Sequence, residues 1–211
     1  MNYSLAFSFV KDEKDWIQKL LITGLIALIP IVGILYVAGW LFEISRRVMN
    51  HEAEILPEVN FSKYISVGFK ACVISFVYML PCTVLNAFSS LSNNILSGSN
   101  SDAITFIRVS ISCGFGLLGT ILGIALSLIL IAAYIRFLDS YEISSAFNFS
   151  AVWKIFTSST KDIFILWLFN ILAAIIASVG VIFCFIGIVF TVPYASATWG
   201  HLLGQLKQKL G

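Results

Sequence analysis

The chain has 211 residues, of which 59% are apolar and 11% charged, with a formal net charge of +2 and a mean hydropathy of +0.95. Soluble domains carry about 25% charged residues, so this composition excludes a soluble globular protein, and with it a disordered chain, a disulfide scaffold and a nucleic-acid binder. What remains is an integral membrane protein: an all-α, polytopic transmembrane helical bundle with no room for a separate soluble domain.

A hydrocarbon core about 30 Å thick takes about 20 apolar residues per helix, and the runs along the chain give four to five spans in one membrane domain, residues 1–211. Residues 1–19 mix charged and apolar positions, with Phe9, Trp16 and Leu20 at near-helical spacing beside Lys11-Asp12-Glu13-Lys14-Asp15. They read as an interfacial tail, either a helix or a solvated segment. Residues 20–42 are long enough to span, but Pro30 and Gly33 interrupt their centre. A proline there frees a backbone carbonyl, which suits a kinked span or the tip of a re-entrant hairpin, and both readings stand. Residues 64–88 form the next span, with Lys70 near its start, able to reach the interface, and Pro81 deeper in. Residues 109–138 form another, in which Gly116, Gly119 and Gly123 make a small-residue face where two helix backbones can approach closely.

Residues 143–160 follow an amphipathic pattern, with Phe149, Val152, Trp153 and Phe156 on one face, Lys154, Ser158 and Lys161 on another, and Ser150 as N-cap. This segment is expected either as a lipid-facing helix on the cytoplasmic surface, its aromatics among headgroups and its lysines toward anionic lipid, or packed against the bundle. The apolar stretch 163–200 is nearly twice the length of one span and predicts a helical hairpin, 163–179 and 182–206. Ser178-Val179-Gly180 is the expected turn and Gly187 the alternative. Pro193 is a kink position in the second helix, and Ser196, Gly200 and Gly204 form a ladder of small residues for close packing. Asn-Phe-Ser occurs at 60–62 and again at 148–150, each time ahead of an apolar run, a repeat that chance alone can give a chain of this length.

Of the 13 lysines and arginines, Arg46, Arg47, Lys63, Lys70, Arg136, Lys154, Lys161, Lys207 and Lys209 fall on one side of the spans, and Arg108 alone lies between spans on the other. The positive-inside rule places the first group, and the C-terminus with it, in the cytoplasm. Lys11, Lys14 and Lys19 lie outside if 20–42 spans and inside if it re-enters, so the side of the N-terminus stays open.

No ionisable group falls at mid-depth in these runs, where such residues mark catalysis or proton transport. Cys72, Cys82, Cys113 and Cys184 lack metal-knuckle spacing and read as small packing residues. His51-Glu52-Ala53-Glu54 lacks the second histidine of a zinc-protease helix, and His201 has no partner at ligand spacing. These features imply no enzyme, no cofactor and no metal. Neutral polar residues do occur at depth, at Asn86, Thr120, Asn170, Thr191, Tyr194 and Thr198. Asn170 and Thr191, with the breaks at Pro30, Pro81 and Pro193, are the candidates for a polar path, and interhelical hydrogen bonds are the alternative use of such side chains.

Several short motifs lie along the chain: Asp15-Trp16, Lys19-Leu20-Leu21-Ile22 with Gly24, Ile29-Pro30-Ile31-Val32-Gly33, and Gly39-Trp40 followed by Arg46-Arg47. Leu56-Pro57-Glu58, Gly68-Phe69-Lys70, Ala146-Phe147-Asn148-Phe149, and Pro193 followed by His201-Leu202-Leu203-Gly204-Gln205 continue the series. Over nearly the whole length this string resembles the uncharacterised prokaryotic membrane family catalogued as domain of unknown function 4013. The resemblance implies a multi-pass protein of the prokaryotic inner or plasma membrane and adds no catalytic residue, since the family carries no assigned activity. The expected function is a non-enzymatic scaffold, assembly partner or lipid-interacting subunit, in contact with membrane lipids, other membrane proteins or a second copy of itself. The alternative is a small-solute facilitator or channel with a polar path between broken helices.

Overall fold

The computed structural model describes residues 1–95, 101–182 and 184–211. All regular structure among them is helical: α1 (Tyr3–Asp12), α2 (Trp16–Ala27), α3 (Val32–Met49), α4 (Phe61–Ile95), α5 (Asp102–Ser140), α6 (Ile143–Ala146), α7 (Phe149–Ser158), α8 (Thr160–Ile182) and α9 (Cys184–Leu210). The fold is all-α. Among the described residues, α4 and α5 are long and apolar enough to cross a membrane, and α7 with α8 as far as Ile176 makes a third candidate if their 90° bend is taken as a broken span.

Short polar side chains set the starts of three helices. Asn2 Oδ1 accepts from the Leu5 N–H at 3.1 Å, Asn60 Oδ1 from Lys63 at 3.1 Å and Asn148 Oδ1 from Ala151 at 3.2 Å. Each bond satisfies one of the N–H groups that a helix leaves without a partner in its first turn. The repeated Asn-Phe-Ser is therefore a cap used twice. Asn148, and not Ser150, caps α7, because the asparagine oxygen three residues back already reaches the Ala151 amide. Ser178, Val179 and Gly180, expected at a turn, lie inside α8, and Gly187 lies inside α9. α8 ends at Ile182 and α9 begins at Cys184, and Phe183 lies outside the described residues.

The chain forms two compact units, Met1–Ile74 with Ile131–Gly211, and Ser75–Leu130, so the division falls inside α4 and α5. In the second unit α4 and α5 pair through small and hydroxylic side chains. Ser89 Oγ donates to the Ser112 carbonyl at 2.8 Å, and Ser112 Oγ lies 3.1 Å from Ser92 Oγ. A Cβ added at Gly119 would stand 2.9 Å from Asn86 Oδ1, and one at Gly116 would stand 3.5 Å from Ser89 Oγ. Lipid tails are as apolar as leucine, so close backbone approach and such hydrogen bonds take over the work that the hydrophobic effect does in water.

In the first unit α2 and α3 fold back on each other across residues 28–31. Pro30 has no N–H to continue α2, and Ile31 takes a φ of +65°, which turns the chain sharply into α3. Leu20 of α2 then joins Trp40, Ile44 and Val48 of α3 in the buried core, together with Phe9, Tyr36, Leu56, Tyr64 and Ala197. α9 is the common partner of α1, α2, α3 and α8. Its glycines make that packing: an added Cβ would stand 2.7 Å from the Leu41 carbonyl oxygen at Gly200 and 2.5 Å from that of Ser45 at Gly204. Ser45 Oγ donates to the Gly200 carbonyl at 2.8 Å across the same seam. Gly24 approaches the Val189 backbone, Gly39 the Tyr64 backbone and Gly68 the Leu35 backbone too closely for any side chain.

Candidate functional site

α3 does not stop near residue 42 but runs to Met49. Its added turns carry Glu43, which is 3% exposed, into the interior. Arg46 grips both oxygens of this carboxylate, Nη2 donating to Oε1 at 2.7 Å and Nε to Oε2 at 3.2 Å, and Lys63 Nζ also approaches Oε2 at 2.8 Å. Arg47 Nε stands 3.7 Å away. Burial pushes the Glu43 carboxyl up, but hydrogen bonds and positive charge from Arg46 and Lys63 outweigh it and hold the group below its ordinary value. The hydrogen bond to Glu43 in turn raises the Arg46 guanidinium. The sequence pattern contained this residue: Tyr36, Trp40 and Glu43 continue one helical face at i, i+4 and i+7, and the charge at the third position disguised it.

Glu43 belongs to a polar layer that joins helix ends. The Tyr141 hydroxyl donates to the Phe42 carbonyl at 3.0 Å, and Lys70 Nζ donates to the Tyr141 carbonyl at 3.0 Å, so Lys70 caps a chain turn within the protein. Asp139 accepts from Arg136 at 2.8 Å and lies 2.7 Å from Lys207 Nζ. Lys209 Nζ donates to Asp162 at 2.6 Å. Burial raises the Tyr141 phenol, with the Glu43 charge adding to the effect.

Two apolar surfaces flank the packed core of this unit. On α7, Val152 is buried, Phe149 is 65% and Trp153 56% exposed, and Phe156 is half-buried with its ring 5.5 Å from that of Trp153. Lys154 and Lys161 are exposed beside them. At the fold of the α2–α3 pair, Pro30 is exposed together with Leu25, Ile29 and Ile34, and Ile31 reaches 73%.

The neutral polar residues at depth mostly bond to their own helices. Thr191 Oγ1 donates to the Gly187 carbonyl at 3.0 Å, Thr198 to Tyr194 at 3.0 Å, Thr120 to Gly116 at 2.8 Å, and Asn86 Nδ2 to Cys82 at 2.9 Å. Asn170 borders a hollow of about 180 Å³ with Leu41, Ser196 and Trp199, and Thr191 is not part of that lining. Pro81 and Pro193 lie within continuous helices. Gly123 faces Cys82, 3.7 Å from where its Cβ would be. Cys82 is buried and Cys113 is exposed. Among the described residues no three His, Cys, Asp or Glu side chains converge at a metal site.

Comparison with curated proteins and with solved structures gave no match. Residues 22–186 match a family described as a protein of unknown function, DUF4013. The matched span runs from α2 to the start of α9 and includes the break at Pro30, the buried Glu43 and the capping residues Asn60 and Asn148. With that much of its length matched, the chain belongs to the DUF4013 family.

Proposed function

We propose that the protein is a multi-pass prokaryotic inner-membrane protein that works without catalysing a reaction, as a lipid-contacting scaffold or assembly subunit. The 90° turn between α7 and α8 carries this reading. If apolar α8 stands in the bilayer, α7 lies in the plane of its surface as an amphipathic helix, Phe149 and Trp153 reaching the acyl boundary and Lys154 and Lys161 the anionic headgroups. The fold-back of α2 on α3 supports a re-entrant first segment whose exposed tip at Ile31 dips into lipid. The N-terminus then lies in the cytoplasm with the C-terminus. A solute path gains little support from polar residues that bond to their own helix carbonyls.

The full-length protein, extracted in its native lipid and weighed by native mass spectrometry, is expected to retain anionic phospholipid. The double variant F149S/W153S should retain several-fold less. Equal retention by the variant, or solute flux by the purified protein in liposomes, would refute the proposal.

A further inference from the structure

Thr120, Thr191, Thr198 and Asn86 bond to carbonyls of their own helices. Asn170 of α8 and Ser196 of α9 do not, and neither has a hydrogen-bond partner among the described residues. Both line the hollow of about 180 Å³ that Leu41 and Trp199 also border. Trp199 is 8% exposed, and its indole N–H is closed to solvent and has no acceptor. A buried donor without an acceptor is rare in folded proteins, and three polar groups without partners in one wall mark a packing that another group completes.

The pattern of α8 shows how the hollow arises. Ile163, Leu166 and Asn170 stand at i, i+3 and i+7 on one helical face. The first two are fully buried, and Asn170 is exposed. The face that packs α8 into the protein therefore opens at Asn170, where the neighbours Ala173, Ala174 and Ser196 are too small to fill the space.

Depth and size select the occupant. With α8 standing in the bilayer, as proposed above, the Asp162–Lys209 pair marks its cytoplasmic boundary. Asn170 lies eight residues further on, about 12 Å along the axis and near the middle of a core about 30 Å thick. Neither headgroups nor water offer hydrogen bonds there, and acyl chains have none to give. The hollow is smaller than the about 300–1,000 Å³ of small-molecule sites and is on the scale of a side chain. Its occupant is thus a polar side chain on another membrane helix, at the same depth. A second copy of this chain meets each condition. Copies inserted in the same direction are related by a two-fold axis along the membrane normal, so residues of equal depth meet. An asparagine amide donates through Nδ2 and accepts through Oδ1, so two of them bond reciprocally, and the small residues beside them let the backbones approach.

We infer that the chain forms a symmetric dimer in the membrane, in which the Asn170 amides of two copies bond to each other at the notch between α8 and α9. This names a partner for the assembly reading above and rests on α8 standing in the bilayer.

The test uses the full chain lacking Cys72, Cys82, Cys113 and Cys184, purified and reconstituted in liposomes at a low protein-to-lipid ratio. Ala174→Cys, one turn beyond Asn170, is expected to give a disulfide-linked dimer on mild oxidation. Ile175→Cys is 55% exposed but about 140° round α8 from Asn170, and should give at least fivefold less. Asn170→Leu should lower the Ala174→Cys dimer at least fivefold in a chain whose melt shows it folded. No dimer at position 174 assigns the notch to lipid or to another protein and overturns the inference, as do equal cross-linking at 174 and 175 and a dimer that survives a folded Asn170→Leu. If that variant does not fold, positions 174 and 175 decide. The parent reading fails separately: reaction of Ile175→Cys with a water-soluble maleimide in the liposomes would put α8 outside the bilayer and overturn both.

Discussion

Lys19 of α2 donates from its ammonium to the carbonyl of Leu56, beyond the end of α3, at 2.8 Å. Glu13 Oε1 accepts from the Ile55 N–H at 2.5 Å beside it. The two outer ends of the α2–α3 pair are thereby fastened to each other, which supports the re-entrant reading proposed above. In that reading 12 of the 13 lysines and arginines would lie on the cytoplasmic side and Arg108 alone on the other. The positive-inside rule favours this over a split of nine to four.

Ser4→Cys, made in a chain lacking Cys72, Cys82, Cys113 and Cys184, is expected to resist a membrane-impermeant thiol reagent on intact cells and to react after permeabilisation. Asp102→Cys, at the start of α5, should react on intact cells. Labelling at position 4 before permeabilisation would place the N-terminus outside and exclude the re-entrant arrangement.

Glu43→Gln removes the shared partner of Arg46, Arg47 and Lys63. Breaking a buried ion pair costs about 3–5 kcal/mol. Arg46 and Lys63 are partly exposed and water recovers some of that, so the expected loss is about 2 kcal/mol. For a chain of this size that lowers the Tm by about 4–8 °C in a detergent melt. Because pairing holds the carboxyl below its ordinary value of 4.5, its contribution is complete above that pH and is lost as pH falls through the lowered value. The Tm difference between wild type and Glu43→Gln should therefore be flat above pH 4.5 and shrink below it. A pH-independent difference would count against the pairing.

Gly39→Ala and Gly68→Ala place a methyl group against the backbone of the facing helix, which cannot yield as a side chain does. Each should cost more than about 2 kcal/mol, well beyond the gain of about 1 kcal/mol that alanine brings to a helix interior. Gly114→Ala meets nothing within 4 Å and should be neutral or slightly stabilising. The paired melts check both signs at once.

Ile31→Gly should stabilise the protein by about 1 kcal/mol. A β-branched residue at φ +65° is strained by about 1–3 kcal/mol, and glycine returns part of that gain through its freer unfolded chain. Ile34→Gly, three residues on but inside α3, should lower the Tm. The same direction of change in both would show that backbone conformation at Ile31 is not the cause.

The apolar runs were enough to foresee α4 and α5, since twenty or more uncharged residues in series have few other uses. The four-residue spacing of Ser196, Gly200 and Gly204 likewise pointed to a close helix contact, though nothing in it named α3 as the partner. Glu43 was hidden for the opposite reason. Charge following an apolar run reads as the end of a helix, but the salt bridges to Arg46 and Arg47 at three and four residues keep α3 wound and let a carboxylate be buried. The hydrogen bond from the Asn2 N–H to Gln205 was equally invisible, because the two residues are 203 positions apart.

The position of α9 has a consequence for how the protein is made. α1, α2 and α3 all pack on α9, which follows them in the chain, and Phe7 cannot meet the Tyr194 hydroxyl until that tyrosine exists. At about 5–20 residues per second, translation from α3 to α9 takes on the order of ten seconds. Through that interval the surface around Gly24 and Ser45 has no helix to cover it, and the nascent N-terminal helices depend on lipid or the insertion machinery for their cover. Ribosome-bound chains ending before α9 should therefore be far more sensitive to protease in α1 and α2 than the finished protein.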